Sequence, residues 1–147
     1  QIEIIDGNLF EECSNLEILW LNNNKLTILN ANTFKKLTKL IKLDLSNNEI
    51  ESIDENLFEE CSTLEVLLFD NNKLASLHPN TFKQLIRLTR LHLSNNQLDS
   101  IDKKAFQTCS NLKKVYLHNN KISRIHFSTL KSLTNLNLFS LNYNLGS

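Results

Sequence analysis

Glycine, proline and methionine are scarce in this chain, which has 2 Gly, 1 Pro and no Met among 147 residues. So little glycine leaves no Gly-rich turn of the kind that builds an oxyanion site in many hydrolases. No sign of charge dominates, because 16 Lys and Arg balance 16 Asp and Glu without a long run of either. The composition therefore gives no indication of nucleic acid or an anionic membrane surface as partner.

Long apolar runs are also missing. No segment approaches the roughly 20 apolar residues that a membrane-spanning helix needs, and residues 1–10 lack the basic start and apolar stretch of a signal peptide. We expect no membrane segment in this chain. Because it begins without Met and ends in Leu145-Gly146-Ser147, we expect residues 1–147 to be one domain within a longer protein.

Leucine, by contrast, recurs with a fixed period. The pattern L-x-x-L-x-L-x-x-N-x-L opens every 24 residues, at Leu16, Leu40, Leu64, Leu88, Leu112 and Leu136. The sixth copy loses its last apolar residue at Gly146, and residues 1–15 form a partial copy. A second column keeps the same phase and comprises Phe10, Phe34, Phe58, Phe82, Phe106 and Leu130. This regularity predicts a repeat protein.

A longer period lies on top of the first. Residues 11–58 and 59–106 match at more than half of their positions, and both segments begin with Glu-Glu-Cys-Ser. The unit that duplicated was therefore a pair of repeats.

Each repeat contains an alternating Leu-x-Leu segment, which directs its leucines to one side of a short strand. Such a strand can pair only with its equivalents in neighbouring repeats, so we expect a stack of coils around one continuous core. The pattern resembles the leucine-rich-repeat family, and its length and Phe column are similar to the typical class found in secreted and cell-surface receptors. The resemblance implies an α/β-type repeat solenoid, a curved horseshoe with a parallel concave β-sheet and irregular convex turns.

The asparagine of each motif stands where the chain must turn off the sheet and leave backbone groups without strand partners. An amide side chain both donates and accepts, so stacked asparagines can satisfy those groups from coil to coil. We expect this structural role for Asn24, Asn48, Asn72, Asn96, Asn120 and Asn144. The phenylalanine column is likewise predicted to be a core spine.

Three cysteines, Cys13, Cys61 and Cys109, share one phase at intervals of 48 residues. Two coils then separate neighbouring cysteines by about 10 Å, more than the roughly 7 Å between Cα atoms that a disulfide tolerates. We expect free, buried thiols, and the same spacing excludes a zinc cluster.

The four histidines are the candidate catalytic bases of this chain. His92 and His118 are predicted to lie on neighbouring coils of the concave side, with Asp70 nearby, whereas His78 and His126 belong to turns. A hydrolase needs a nucleophile held against a base that a third group orients, and no such motif is present. We expect no catalytic site, metal or cofactor.

Partner binding is the better use of the concave side, where residues between the buried leucines point outward and vary from coil to coil. The chain's one Trp, with apolar and charged neighbours on the same sheet, is typical of protein interfaces. We define the predicted binding face as Ile18, Trp20, Lys42, Asp44, Val66, Leu68, Asp70, Arg90, His92, Lys114, Tyr116 and His118.

The C-terminal stretch carries a second resemblance. Residues 125–133 followed by Leu141-Asn142-Tyr143-Asn144 resemble the irregular central repeat of mosquito complement-like and salivary leucine-rich-repeat proteins, and Toll-type receptor ectodomains are the next nearest family. This implies a secreted insect protein whose partners include thioester complement-like proteins or sister repeat proteins.

Two functions remain open at this point. The first is a non-enzymatic recognition module that binds a protein through the concave face. The second is a structural or assembly segment with homotypic contacts through its ends or convex side. The second is favoured if apolar residues at uncapped ends, such as Ile2, Ile5, Phe139 and Leu141, are left in water.

Overall fold

The chain forms a solenoid of six short strands and irregular turns in a computed structural model that describes residues 1–145. The strands are β1 (Ile18–Trp20), β2 (Lys42–Asp44), β3 (Val66–Leu68), β4 (Arg90–His92), β5 (Lys114–Tyr116) and β6 (Leu138–Ser140). A 3₁₀ helix, Phe127–Leu130, lies between β5 and β6. The strands recur every 24 residues, as the motif predicts. The predicted loss of the last apolar residue of the sixth repeat falls at Gly146, which lies outside the described residues.

The six strands form one parallel sheet in sequential order, from β1 to β6. Each residue pairs with the one 24 positions further along, so that Leu19 lies opposite Leu43 and Leu67 opposite Leu91. The predicted parallel sheet and its register are confirmed. Every coil therefore bonds only to the coil before it and the coil after it.

Each strand is three residues long, and its middle residue points into the core. Leu43, Leu67, Leu91 and Val115 occupy the middle positions and are at most 1% exposed. Their neighbours along the strand point outward, as a period of two requires. One face of the sheet is therefore core and the other is free to carry function.

A stack of phenylalanine rings runs through the opposite side of the core. Successive rings of the column lie 6.3 to 6.4 Å apart between centroids, from Phe10 through Phe106. These separations fall within the range in which aromatic pairs attract each other. The predicted core spine is confirmed, although Phe10 in the first coil is only partly buried.

One residue per coil adopts a left-handed backbone conformation as the chain leaves the sheet. Asn23, Asn47, Asn71, Asn95 and Asn119 have φ angles of 55° to 60°, which asparagine tolerates better than most residues. Tyr143 holds the same position in the sixth coil at φ 59°, a conformation that is strained for a bulky side chain.

The next asparagine in each coil joins adjacent coils, and it is buried in the four inner coils at Asn48, Asn72, Asn96 and Asn120. The amide nitrogen of Asn72 donates to the carbonyl of Leu45 in the preceding coil at 2.9 Å and to that of Phe69 in its own coil at 3.2 Å. Its oxygen accepts from the backbone N–H of Ile50 at 3.0 Å. Equivalent bonds recur at Asn48, Asn96, Asn120 and Asn144, which confirms the asparagine ladder.

The ends differ in part from the expectation that their apolar side chains face water. Ile5 is only 6% exposed, because it lies in the column of Leu29 and packs as a core residue, so this expectation is wrong. Phe139 and Leu141 are partly buried against the core. Ile2 is 49% exposed, although its backbone joins the next coil through bonds with Lys25 N–H and the Asn24 amide.

The three cysteines are free thiols, as the spacing predicts. Cys61 and Cys109 are fully buried, and burial raises their pKa to about 12 and about 11 respectively. Cys13 is half-exposed, which contradicts the prediction of three buried thiols. The reason is that Cys13 lies in the partial first coil, which has a neighbouring coil on one side only.

Replacing Asn72 with alanine is expected to lower the free energy of unfolding by about 1 to 3 kcal/mol, because it leaves buried backbone groups unpaired. Urea unfolding measures this loss. Asn56→Ala, on an exposed turn, is the control and should stay within about 0.5 kcal/mol of the parent chain. Equal losses in the two variants would contradict the ladder's role.

Thiol labelling separates the three cysteines. Since the thiolate is the reactive form, a maleimide added to the native protein at pH 8 should modify Cys13 first. Cys61 and Cys109 should react only after denaturant is added. Peptide mass spectrometry reads each site, and rapid native labelling of Cys61 would contradict the burial of this column.

Candidate functional site

The structure brings all twelve residues of the predicted binding face to the outward side of the sheet. Ten of them are the first and last residues of strands β1 to β5, while Asp70 and His118 stand two residues after β3 and β5. Register aligns them in rows, such as Trp20, Asp44, Leu68, His92 and Tyr116. The face is therefore one surface.

The apolar and aromatic side chains of this surface are more exposed in the first coil than in the inner coils. Trp20 is 71% exposed and Ile18 is 48% exposed, whereas Val66, Leu68 and Tyr116 are half-buried. The half-buried side chains are flanked by coils on both sides, and β1 has a neighbour on one side only. Trp20 is thus the most accessible anchor of the face.

A chain of polar contacts links four consecutive coils of the face, those of β3 to β6. Asp70 accepts a 2.7 Å hydrogen bond from the backbone N–H of Ser94 and a 2.9 Å bond from Nδ1 of His92. The hydroxyl of Ser94 lies 2.9 Å from Nδ1 of His118, which also lies 2.9 Å from the hydroxyl of Ser140. These bonds hold the side chains of the face in fixed positions.

Ring contacts tie the same residues together. The His92 and Tyr116 rings are 4.3 Å apart between centroids, and the Tyr116 and His118 rings meet edge to face at 6.4 Å. Since rotamers fixed in the free protein lose little entropy on binding, this cluster is suited to act as a rigid contact surface.

The polar contacts do not assemble a catalytic triad. In a triad, the histidine that a carboxylate orients must take the serine proton through its other nitrogen. Here Asp70 orients His92, but Nε2 of His92 is buried without a partner within residues 1–145. Ser94 contacts His118 instead. The Asp70 carboxylate therefore contacts one histidine, His92, and the Ser94 hydroxyl contacts another, His118.

Three serines of the face, Ser46, Ser94 and Ser140, were not among the predicted site residues. Ser46 donates its backbone N–H to Asp44 at 2.9 Å, and its hydroxyl also donates to that carboxylate. Ser94 and Ser140 both contact His118. The sequence indicated only that these serines lie in the variable columns: Ser46 is two residues from Asp44 in its own coil, whereas Ser94 and Ser140 are one coil from His118.

The remaining histidines are structural, as expected for turn residues. Nδ1 of His78 accepts from the backbone N–H of Asn80 at 3.0 Å, and Nδ1 of His126 accepts from that of Ser128 at 3.2 Å. Aspartates and an asparagine fill the same position in other coils and cap their turns in the same way.

Neither a metal site nor a spanning helix occurs in the part of the chain that the structure describes. No three His, Cys, Asp or Glu side chains of residues 1–145 are grouped as metal ligands would be. In the same range, no helix is long and apolar enough to cross a membrane.

A parallel solenoid with a leucine core and an asparagine ladder defines a class of repeat proteins. The sequence pattern of that class, described as Leucine rich repeat, matches residues 1–50, 38–98 and 86–145. The chain belongs to the leucine-rich-repeat family. Members of this family are generally non-enzymatic scaffolds for protein interaction.

Several known proteins are similar to this chain. A 52-residue segment is 44% identical to leucine-rich repeat-containing G-protein coupled receptor 5 of Rattus norvegicus and covers 35% of this chain and 6% of the receptor. The Toll–Spatzle complex of Drosophila superposes with a TM-score of 0.93 at 27% identity, over 97% of this chain and 20% of that one.

The complex of LRIM1 with APL1C, which are mosquito proteins, superposes with a TM-score of 0.90 at 26% identity, over 96% of this chain and 26% of that one. These structures confirm the resemblance to insect complement-like proteins and Toll ectodomains. The chain spans between 6% and 26% of the length of each of these three relatives.

Asp70→Ala is expected to lower the free energy of unfolding by about 1 to 3 kcal/mol, because it leaves the N–H of buried Ser94 and the His92 ring without an acceptor. Asp70→Asn retains an acceptor oxygen and should lose less. Asp99→Ala, an exposed carboxylate bonded only by Ser100, serves as control in urea unfolding. A loss no larger than that of the control would show that Asp70 does not support the face.

Proposed function

We propose that this chain is a non-enzymatic protein-binding module that recognises a protein partner through its concave face. The carrying observation is a six-stranded sheet whose inward residues are uniform and whose outward residues change from coil to coil. Uniform residues maintain the fold, so the varied ones are free to encode recognition.

The proposal extends to biological setting. Toll is described with Spatzle as a hub in Drosophila development and innate immunity, and LRIM1 is described in complex with APL1C. Their likeness to this chain supports an innate-immune role with a protein partner. The finer proposal is a secreted insect protein that acts in innate immunity or salivary host interaction and binds a complement-like or sister repeat protein. The same comparison supports an extracellular location as part of this proposal.

The face has the composition of a binding surface. Exposed Trp20 and Ile18 supply apolar anchors at one end, and the Leu68 and Tyr116 side chains continue the apolar row between polar groups. Aromatic residues surrounded by polar neighbours dominate the energetics of many protein interfaces. The hydrogen-bonded His92 and Asp70 pair gives this surface a defined shape.

Alanine substitution at Trp20 and Tyr116 tests the proposal. The double variant should bind its partner at least about tenfold more weakly, since aromatic hot spots contribute roughly 2 kcal/mol or more. Its thermal unfolding temperature should stay near that of the parent chain. The partner is first captured from secretions of the source organism, purified, and titrated by surface plasmon resonance.

The control variant is Ile86→Ala with Phe127→Ala, two apolar side chains that are 51% and 87% exposed outside the sheet. It should bind as tightly as the parent. Loss of binding in the control, with retention in the Trp20 and Tyr116 variant, would place the interface on another surface.

The alternative function is structural, with homotypic contacts through the ends. Ile2 and Leu145 are 49% and 74% exposed, and β1 and β6 each have one strand neighbour. Sedimentation over a wide concentration range distinguishes the two functions. Self-association that survives replacement of the concave aromatics favours assembly, and a monomer at all concentrations favours recognition.

A further inference from the structure

Charge is distributed very unevenly along this neutral chain. Residues 1–70 contain 14 Asp and Glu but 5 Lys and Arg, whereas residues 71–147 contain 2 Asp and Glu but 11 Lys and Arg. Because consecutive coils stack in order, the first half of the solenoid is acidic and the second half is basic. The balanced total conceals a strongly dipolar molecule.

The carboxylates of the concave face are occupied by contacts within the protein. Asp44 accepts from the backbone N–H and the hydroxyl of Ser46. Asp70 accepts from Ser94 and His92, and its side chain is only 23% exposed. These two acidic groups therefore offer little free charge to a partner.

The cations of the same face are not neutralised. Arg90 on β4 and Lys114 on β5 are register partners, and neither makes an ion pair within residues 1–145. Arg87 and Lys113 line a groove beside them on the flank of the sheet, where Glu65 is the one carboxylate among the lining residues. Like charges placed opposite each other on adjacent strands destabilise a sheet, so an anionic partner would relieve this repulsion.

We infer that the partner of the concave face is a protein whose contact surface is acidic where it meets Arg90, Lys114 and the adjoining Arg87 and Lys113. The inference rests on the proposed function and adds the chemistry of the partner. Charge complementarity of this kind speeds association and makes it sensitive to salt. Trp20 and Leu68 then supply the apolar part of the same interface.

A protein surface fits this face better than a nucleic acid. Asp44 and Asp70 lie on the same sheet as the cations, and a continuous phosphate chain crossing the coils would be brought against them. Val66 and Leu68 between them offer no hydrogen bonds to phosphate. A folded protein can place apolar groups there and carboxylates only opposite the basic coils.

A second cationic groove lies outside the face and provides a comparison. It is lined by Lys103, Lys104 and Lys131 on the convex side, with no carboxylate among the lining residues. The corresponding groove two coils earlier combines Glu55 and Glu59 with one lysine. Variants of this groove show whether an acidic probe binds to the concave face or merely to any basic part of the chain.

Binding of fluorescent poly-L-glutamate, followed by anisotropy, tests the inference. The parent chain should bind at about 0.05 M salt and lose most of this affinity at about 0.5 M, where the Debye length falls to a few ångströms. Arg90→Glu with Lys114→Glu should weaken binding at least about tenfold. Arg90→Gln with Lys114→Gln should weaken it less, and circular dichroism verifies that both variants fold.

Two controls carry the same change in net charge. Lys35→Glu with Lys36→Glu alters convex lysines of the acidic half, and Lys103→Glu with Lys131→Glu alters the convex groove. Both should retain most of the parent affinity. A larger loss in the convex-groove variant than in the concave one would overturn the inference, as would single-stranded RNA of equal charge binding the concave cations more tightly than poly-L-glutamate does.

Failure of this inference and failure of the proposed function give different results. If the Arg90 and Lys114 variants bind the purified partner and poly-L-glutamate normally while the Trp20 and Tyr116 variant loses the partner, the acidic surface is wrong and the concave interface stands. If poly-L-glutamate binding depends on Arg90 and Lys114, the acidic specificity is supported independently of the captured partner.

Discussion

The coil-to-coil hydrogen bond of the buried asparagine is the interaction on which the rest of this structure depends. Every coil must leave the sheet to return across the convex side, and the corner exposes backbone groups that no strand can pair. Asn48, Asn72, Asn96 and Asn120 are 6 to 7% exposed and bond to backbone in their own coil and in the one before. Without these bonds, buried polar groups would offset much of the gain from the leucine core.

Because the inward leucines and the asparagine ladder maintain the fold, the residues on the outer side of the sheet are free to vary. The core and ladder positions repeat, whereas Trp20 and Leu68 belong to neither set. The face gains its own rigidity from contacts among variable residues, above all between Asp70, His92 and Ser94. A binding surface can therefore diversify coil by coil while the solenoid that carries it stays constant.

Sequence periodicity predicted the sheet, its register, the ladder and the place of all twelve residues of the predicted binding face on the outward side of the sheet, because each depends on spacing alone. It failed at Ile5 and Cys13, since burial in the first coil depends on how far the partial repeat covers its neighbour. Spacing places Ser94 and His118 on adjacent coils but does not predict their contact, because the contact depends on which rotamers the two side chains adopt. The uneven distribution of charge between the two halves can be counted in the sequence, but the net charge of zero gives no indication of it.

Native-state hydrogen exchange tests the central claim most directly. The amides of Leu26, Ile50, Leu74, Leu98 and Ile122 each donate to an asparagine of the next coil. They should be strongly protected in the parent chain, most of all at Ile50 and Leu74 in the middle of the stack, with protection falling toward both ends as in nearest-neighbour stacking. Exchange of these amides as rapid as that of exposed turn amides would contradict the account.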